Sequence, residues 1–115
     1  MEMSEYQNQA GRTAIHPIDQ DVQGVDIGTL YTVMGLSGET GEALEKVKKA
    51  IRTNDPEQVE EYLSQLDDEL GDILWYIARL ARMRGLNLNG VAEDNLNKLF
   101  DRKERNVVDG QGDNR

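Results

Sequence analysis

The sequence predicts an all-α protein, a four-helix-type bundle. Three observations carry that expectation. Apolar residues recur at helical spacing through two long segments, residues 29–53 and 56–84. Helix-breaking punctuation bounds these segments: Asn54-Asp55-Pro56 stands between them, and Gly85 closes the second. No segment longer than a few residues alternates with the period of a strand.

Each element has its own local signal. Residues 4–14 are expected as a short first helix, with Ser4 as N-cap and Tyr6, Gln9, Ala10 and Ala14 on one face. Pro17 ends it, and the polar, glycine-containing stretch from Asp19 to Gly28 is a connection. The single histidine, His16, is read as a solvated loop side chain. Its isolation excludes the Glu-x-x-His pairs of a di-iron bundle. On the second helix, Leu30, Val33, Met34, Leu44, Val47 and Ile51 form one apolar stripe at about 100° per residue. Tyr31, Gly35, Gly38, Glu39, Glu42, Lys46 and Lys49 take the opposite half, and the two glycines and the tyrosine suggest that this half is packed as well. Asp55 is the expected N-cap and Pro56 the first residue of the third helix. Val59, Leu63, Leu66, Leu70, Ile73, Leu74, Ile77, Leu80 and Ala81 make its stripe. Trp75 and Arg79 fall far from that stripe, which marks Trp75 as a partner surface or a ligand platform. Asn89 is the expected cap of a fourth helix, residues 90–105, with Val91, Ala92, Leu96, Leu99 and Phe100 facing inward and Asn95 in the same arc. Residues 1–106 read as one helical domain and residues 107–115 as a flexible tail.

Composition narrows the function. One domain is all that 115 residues allow. There are no cysteines, hence no disulfide, thiolate metal site or cysteine nucleophile. A net charge of −9 argues against a nucleic-acid polymer as partner. It leaves room for a small phosphorylated ligand, because a divalent metal inverts the local charge. No signal-peptide pattern and no long apolar run is present, so a soluble, cytoplasmic protein with no membrane partner is expected.

The chemistry concentrates in a phrase that occurs twice, Glu-x-Gly-acid: Glu39-Thr40-Gly41-Glu42 and Glu69-Leu70-Gly71-Asp72. About 0.2 copies are expected by chance at this composition. Residues three apart on a helix are surface neighbours, so each phrase presents two carboxylates side by side. Two facing pairs suit a hard divalent ion, Mg²⁺ or alternatively Mn²⁺. Glycine costs about 1 kcal/mol in a helix interior, which suggests that something approaches the backbone closely beside each pair. The alternative is two solvated acidic faces with incidental glycines.

Gly35-Leu36-Ser37-Gly38-Glu39-Thr40-Gly41-Glu42, Lys48-Lys49 and Asp68-Glu69-Leu70-Gly71-Asp72-Ile73-Leu74-Trp75-Tyr76 resemble the MazG-like nucleoside triphosphate pyrophosphohydrolases. That signature is Glu-x-x-Glu, a gap of roughly 12 to 28 residues, then Glu-x-x-Asp; here 26 residues lie between Glu42 and Glu69. Asn95, Lys98 and Arg102 are similar to the family's Asn-x-x-Lys-x-x-x-Arg stretch, and Tyr6-Gln7, Arg12-Thr13 and the Gly112-Asp113-Asn114-Arg115 ending extend the likeness toward short phage and bacterial forms. The resemblance implies hydrolysis between the α and β phosphates of a nucleoside triphosphate, giving the monophosphate and pyrophosphate. It implies Mg²⁺ held by Glu39, Glu42, Glu69 and Asp72, with Glu39 or Glu42 as general base, and Lys49, Asn95, Lys98 and Arg102 toward the substrate. It also implies a homodimer or homotetramer with the site near a subunit boundary. A narrow-specificity all-α dUTPase or dCTPase, and a non-catalytic acidic binding protein, are the competing readings.

Overall fold

The computed structural model describes residues 1–15, 21–106 and 112. His16 and the tail, Gly112 apart, lie outside the described residues. Four helices and one minimal hairpin make up the rest: α1 (Met3–Gly11), β1 (Asp21–Val22), β2 (Val25–Asp26), α2 (Ile27–Arg52), α3 (Pro56–Met83) and α4 (Leu88–Glu104). The protein is all-α, as the sequence predicts.

Local chemistry sets the element boundaries. The hairpin turns through Gln23 (φ 54°) and Gly24 (φ 79°), the doubly positive pattern of a type I′ turn. Asp26 then caps α2 by accepting a hydrogen bond from the Thr29 N–H at 3.0 Å. Between α2 and α3, Asp55 accepts from the Glu57 N–H at 3.0 Å, and Pro56 opens the helix as expected. Gly85 (φ 71°) closes α3. The Leu86 N–H reaches the Ala81 carbonyl at 2.8 Å and the Gly85 N–H the Arg82 carbonyl at 3.0 Å, the paired bonds of a Schellman motif. Two expected caps are displaced. Asn87, not Asn89, caps α4, accepting from the Asn89 N–H at 2.9 Å. Ser4 lies inside α1 rather than at its start, and its N–H donates to the Asn89 side chain at 3.2 Å.

α2 and α3 run antiparallel, with Thr32 against Met83 and Gly35 against Tyr76. α1 lies across α3 and the start of α4, held by Gln7, which is only 4% exposed. Gln7 Nε2 donates to the carbonyls of Leu86 (2.8 Å) and Ala78 (3.4 Å), and its Oε1 accepts from the Leu88 N–H (3.1 Å). Ala10, Ala78, Ala81 and Leu88 form the buried cluster at this corner, with Met3, Tyr6 and Trp75 packed on it.

Three sequence expectations are corrected. Trp75 is not a free partner surface: it packs on the α1 corner, and its Nε1–H donates to Thr13 Oγ1 at 2.7 Å. The apolar stripe of α2 is not its intrachain seam. Ile51 is 80% and Met34 73% exposed, while Gly28, Thr32 and Ala43 are buried on the other half. Small residues let α3 approach that half closely, so the acidic face is the packed one. The same holds on α4, where Leu96, Leu99 and Phe100 are exposed rather than inward. The radius of gyration, 17.5 Å, exceeds the value of about 13 Å expected for a compact chain of this size.

Candidate active site

Antiparallel pairing of α2 and α3 brings the two acidic phrases face to face. Carboxylate oxygens of Glu39, Glu69 and Asp72 lie within 4.8 Å of one another. Glu69 is buried and Glu39 half-buried, and Oε2 of each is buried with no hydrogen-bond partner. Glu42, one turn along α2, stands exposed just outside this trio, and its charge still acts on Glu39. Burial, then the shared contact with Glu69, then the charges of Glu42, Asp72 and Glu69 push the Glu39 carboxyl above the usual glutamate range. Among the described residues, the groups that act on it are all carboxylates.

Two tyrosines lie near enough to the cluster to feel its charge. Tyr76 is half-buried, its ring edge-on to Trp75 at 5.0 Å and 84°. Burial raises its hydroxyl pKa first, followed by Tyr31 and the charges of Glu39, Asp72 and Glu42. Tyr6, on α1, is raised by burial and by Asp72. The sequence marks Tyr76 only as a flank of the α3 stripe; its place here comes from the helix pairing. Of the two glycines that suggest a packed half of α2, Gly35 meets a neighbouring side chain and Gly38 does not. A Cβ on Gly35 would meet the Tyr76 ring, with Cζ at 2.5 Å and the hydroxyl at 2.8 Å and Cε1 closer still. Gly41 and Gly71, the glycines of the repeated phrase, have no atom within 4 Å of such a Cβ, so no close approach within the chain explains them.

The basic candidates are not in the cluster. Lys49 lies ten residues beyond Glu39 on α2, about 15 Å along the axis, near Glu45. Asn95 and Lys98 line a hollow of about 340 Å³ on α4 with Val91 and Asp94. Arg102 is buried, and its Nη2 donates to the Gly112 carbonyl at 3.5 Å. The sequence marks Gln7 only within the family likeness and Arg79 only as lying off the α3 stripe; their packing against and around α1 has no motif to announce it.

An acidic cluster of this kind fits a hard divalent ion. Buried carboxylate oxygens without a partner are costly, and a cation supplies what the protein does not. Among the described residues no helix is long and apolar enough to cross a membrane.

The comparisons with known proteins agree with this geometry. The MazG nucleotide pyrophosphohydrolase domain matches residues 28–107, from the first turn of α2 to just beyond α4, and so contains all four acids. The Gene 37 protein of Mycobacterium phage L5 is 44% identical over 115 residues, covering 100% of both chains. No solved structure matches the chain. The domain match, spanning both helices of the acidic cluster and well over half of the sequence, places the chain in the MazG nucleotide pyrophosphohydrolase family.

Proposed function

We propose that this protein hydrolyses nucleoside triphosphates between the α and β phosphates, releasing nucleoside monophosphate and pyrophosphate in a Mg²⁺-dependent reaction. Family membership supports a hydrolase acting on nucleotides. The observation that carries the finer reading is the convergence of Glu39, Glu69 and Asp72, with two buried oxygens left for a cation.

Glu39, Glu69 and Asp72, with Glu42 beside them, are the residues that would hold the ion. When bound, it supplies compensation for the triphosphate charge and a more acidic water. The chain's own residues do the rest. Glu42 stands outside the tight trio and is exposed, so it is the carboxylate better placed to accept the proton of the attacking water. Glu39 is the alternative named by the sequence. Gly41 and Gly71 leave the helix surfaces beside the acids bare, which suits approach of a bulky phosphate chain.

Lys49, Asn95, Lys98 and Arg102 serve the substrate in this reading through assembly. The exposed apolar residues of α2 (Met34, Leu44, Ile51) and α4 (Leu96, Phe100) find no cover among the described residues. A homodimer or homotetramer supplies it, and a second copy can bring the α4 residues toward the acids. Sedimentation at micromolar concentration should give a mass of at least two chains.

A panel of NTPs and dNTPs with Mg²⁺, resolving pyrophosphate from orthophosphate, tests the reaction. Pyrophosphate release is the expected result. Turnover of one deoxynucleotide alone identifies a narrow dUTPase or dCTPase. Release of orthophosphate alone, or no turnover, overturns the assignment.

A further inference from the structure

Arginines on the seam between α1 and α3 lack the partners that so acidic a chain should provide. The net charge is −9, yet among the described residues Arg12, Arg79 and Arg82 form no ion pair with a carboxylate. Arg12 and Arg82 bond only to neutral amides, Gln9 Oε1 at 3.0 Å and Asn8 Oδ1 at 3.4 Å. Arg79 is half-buried and has no hydrogen bond among the described residues, and its Nε is buried without a partner.

Arg79 also has a built position. Gly11, in the last turn of α1, leaves the space its guanidinium occupies: a Cβ there would lie 3.2 Å from Nη1. On α3, Asp72, Tyr76 and Arg79 fall within about 60° of one another at 100° per residue. Arg79 therefore continues the edge that carries the acids, about 10 Å beyond Asp72 along the axis. Leaving the buried Nε–H of Arg79 without a partner is unfavourable, and a guanidinium's five donors form a planar fork that matches phosphate. The acids attract a cation and Arg79 an anion, at two ends of one edge.

The geometry points to Arg79 as a substrate-binding residue that takes the pyrophosphate end of the triphosphate. This rests on the pyrophosphohydrolase reading and adds the direction in which the phosphate chain lies: reacting bond at the acids, departing pyrophosphate toward α1. Arg12 and Arg82 extend the positive seam at the surface.

Calorimetric titration of inorganic pyrophosphate with Mg²⁺ into the wild-type protein, Arg79→Gln and Arg79→Lys tests this without turnover. Arg79→Gln should bind pyrophosphate at least tenfold more weakly, Arg79→Lys should fall between, and nucleoside monophosphate should bind all three equally. Unliganded Arg79→Gln should melt no lower than wild type, because it removes an uncompensated charge. If Arg79→Gln does not fold, the lysine variant decides. Equal pyrophosphate affinity in wild type and variant, no pyrophosphate binding by the wild type, or an equal loss of monophosphate binding overturns the role of Arg79. Failure of the enzymatic reading is a separate result: no pyrophosphate released from any nucleotide by the wild type.

Discussion

Replacing Gly35 with alanine should destabilise the protein, whereas the same change at Gly38 should stabilise it. Both positions are in α2, three residues apart. In either case alanine gains about 1 kcal/mol of helix propensity over glycine. At Gly38 nothing lies within 4 Å of the new methyl group, so the gain is realised. At Gly35 the methyl group would fall 2.5 Å from Tyr76 Cζ, where carbon atoms prefer about 3.5 to 4.0 Å. The ring must therefore swing by more than an ångström, away from its edge-on contact with Trp75. Overpacking of this kind costs about 1–3 kcal/mol, leaving a net loss of up to about 2 kcal/mol after the propensity gain. A change of 1 kcal/mol moves the melting midpoint of a domain this size by about 4 °C. Thermal melts at one protein concentration, with divalent ions chelated, read both signs. In a Tyr76→Ala background the obstacle is gone, and Gly35→Ala should become stabilising. A rise in melting temperature for Gly35→Ala equal to that for Gly38→Ala would refute the close-approach argument.

The acids and α1 give further expected outcomes. Glu42→Gln should abolish most pyrophosphate release while leaving the metal-free protein as stable or more so; Glu60→Gln, on an exposed turn of α3, should change stability by no more than about 0.5 kcal/mol and activity not at all. Because the Glu39 carboxyl is raised in the folded protein, its contribution to metal-free stability is present below the ordinary glutamate value of 4.5 and is lost as pH rises through the raised value. Melts in EDTA across that range should show the loss in the wild type and not in Glu39→Gln, and Mg²⁺ should flatten it. Gln7→Ala strands the Leu88 N–H and the Leu86 carbonyl, costing about 1–3 kcal/mol; an unchanged melting temperature would show that α1 is held some other way.

The parts of the fold legible in the sequence are those decided locally. Asp55 acts on the adjoining turn through its side chain, and Pro56 and Gly85 through their own backbones, so their helix ends are where expected. The two acidic phrases meet because a short turn between α2 and α3 forces antiparallel pairing, which the punctuation implies. Periodicity cannot tell what covers an apolar face. Leu44 and Ile51 make a regular stripe, but α3 packs on Thr32 and Ala43, whose small side chains give a weaker signal and a closer approach. The environment of Trp75 is hidden from its own helix pattern because its cover, α1, is distant in sequence and only nine residues long. Asn87 and Asn89 are equally good caps by type; Asn89 is drawn away by Ser4.

The Gln7 clamp has a consequence in time. Its partner Leu88 is 81 residues downstream, and a ribosome adds about 5–20 residues each second. α1 therefore emerges before the corner it docks on and waits about 4–16 s for it. Nine residues without a side-chain N-cap bond are too few to hold a helix alone in water, where about 12–15 are marginal. The segment stays unstructured through that interval, while α2 and α3, joined by a turn of three residues, Thr53 to Asp55, close on each other. The N-terminal end of the chain is thus the last piece to fold, and it locks a corner that the rest has already made.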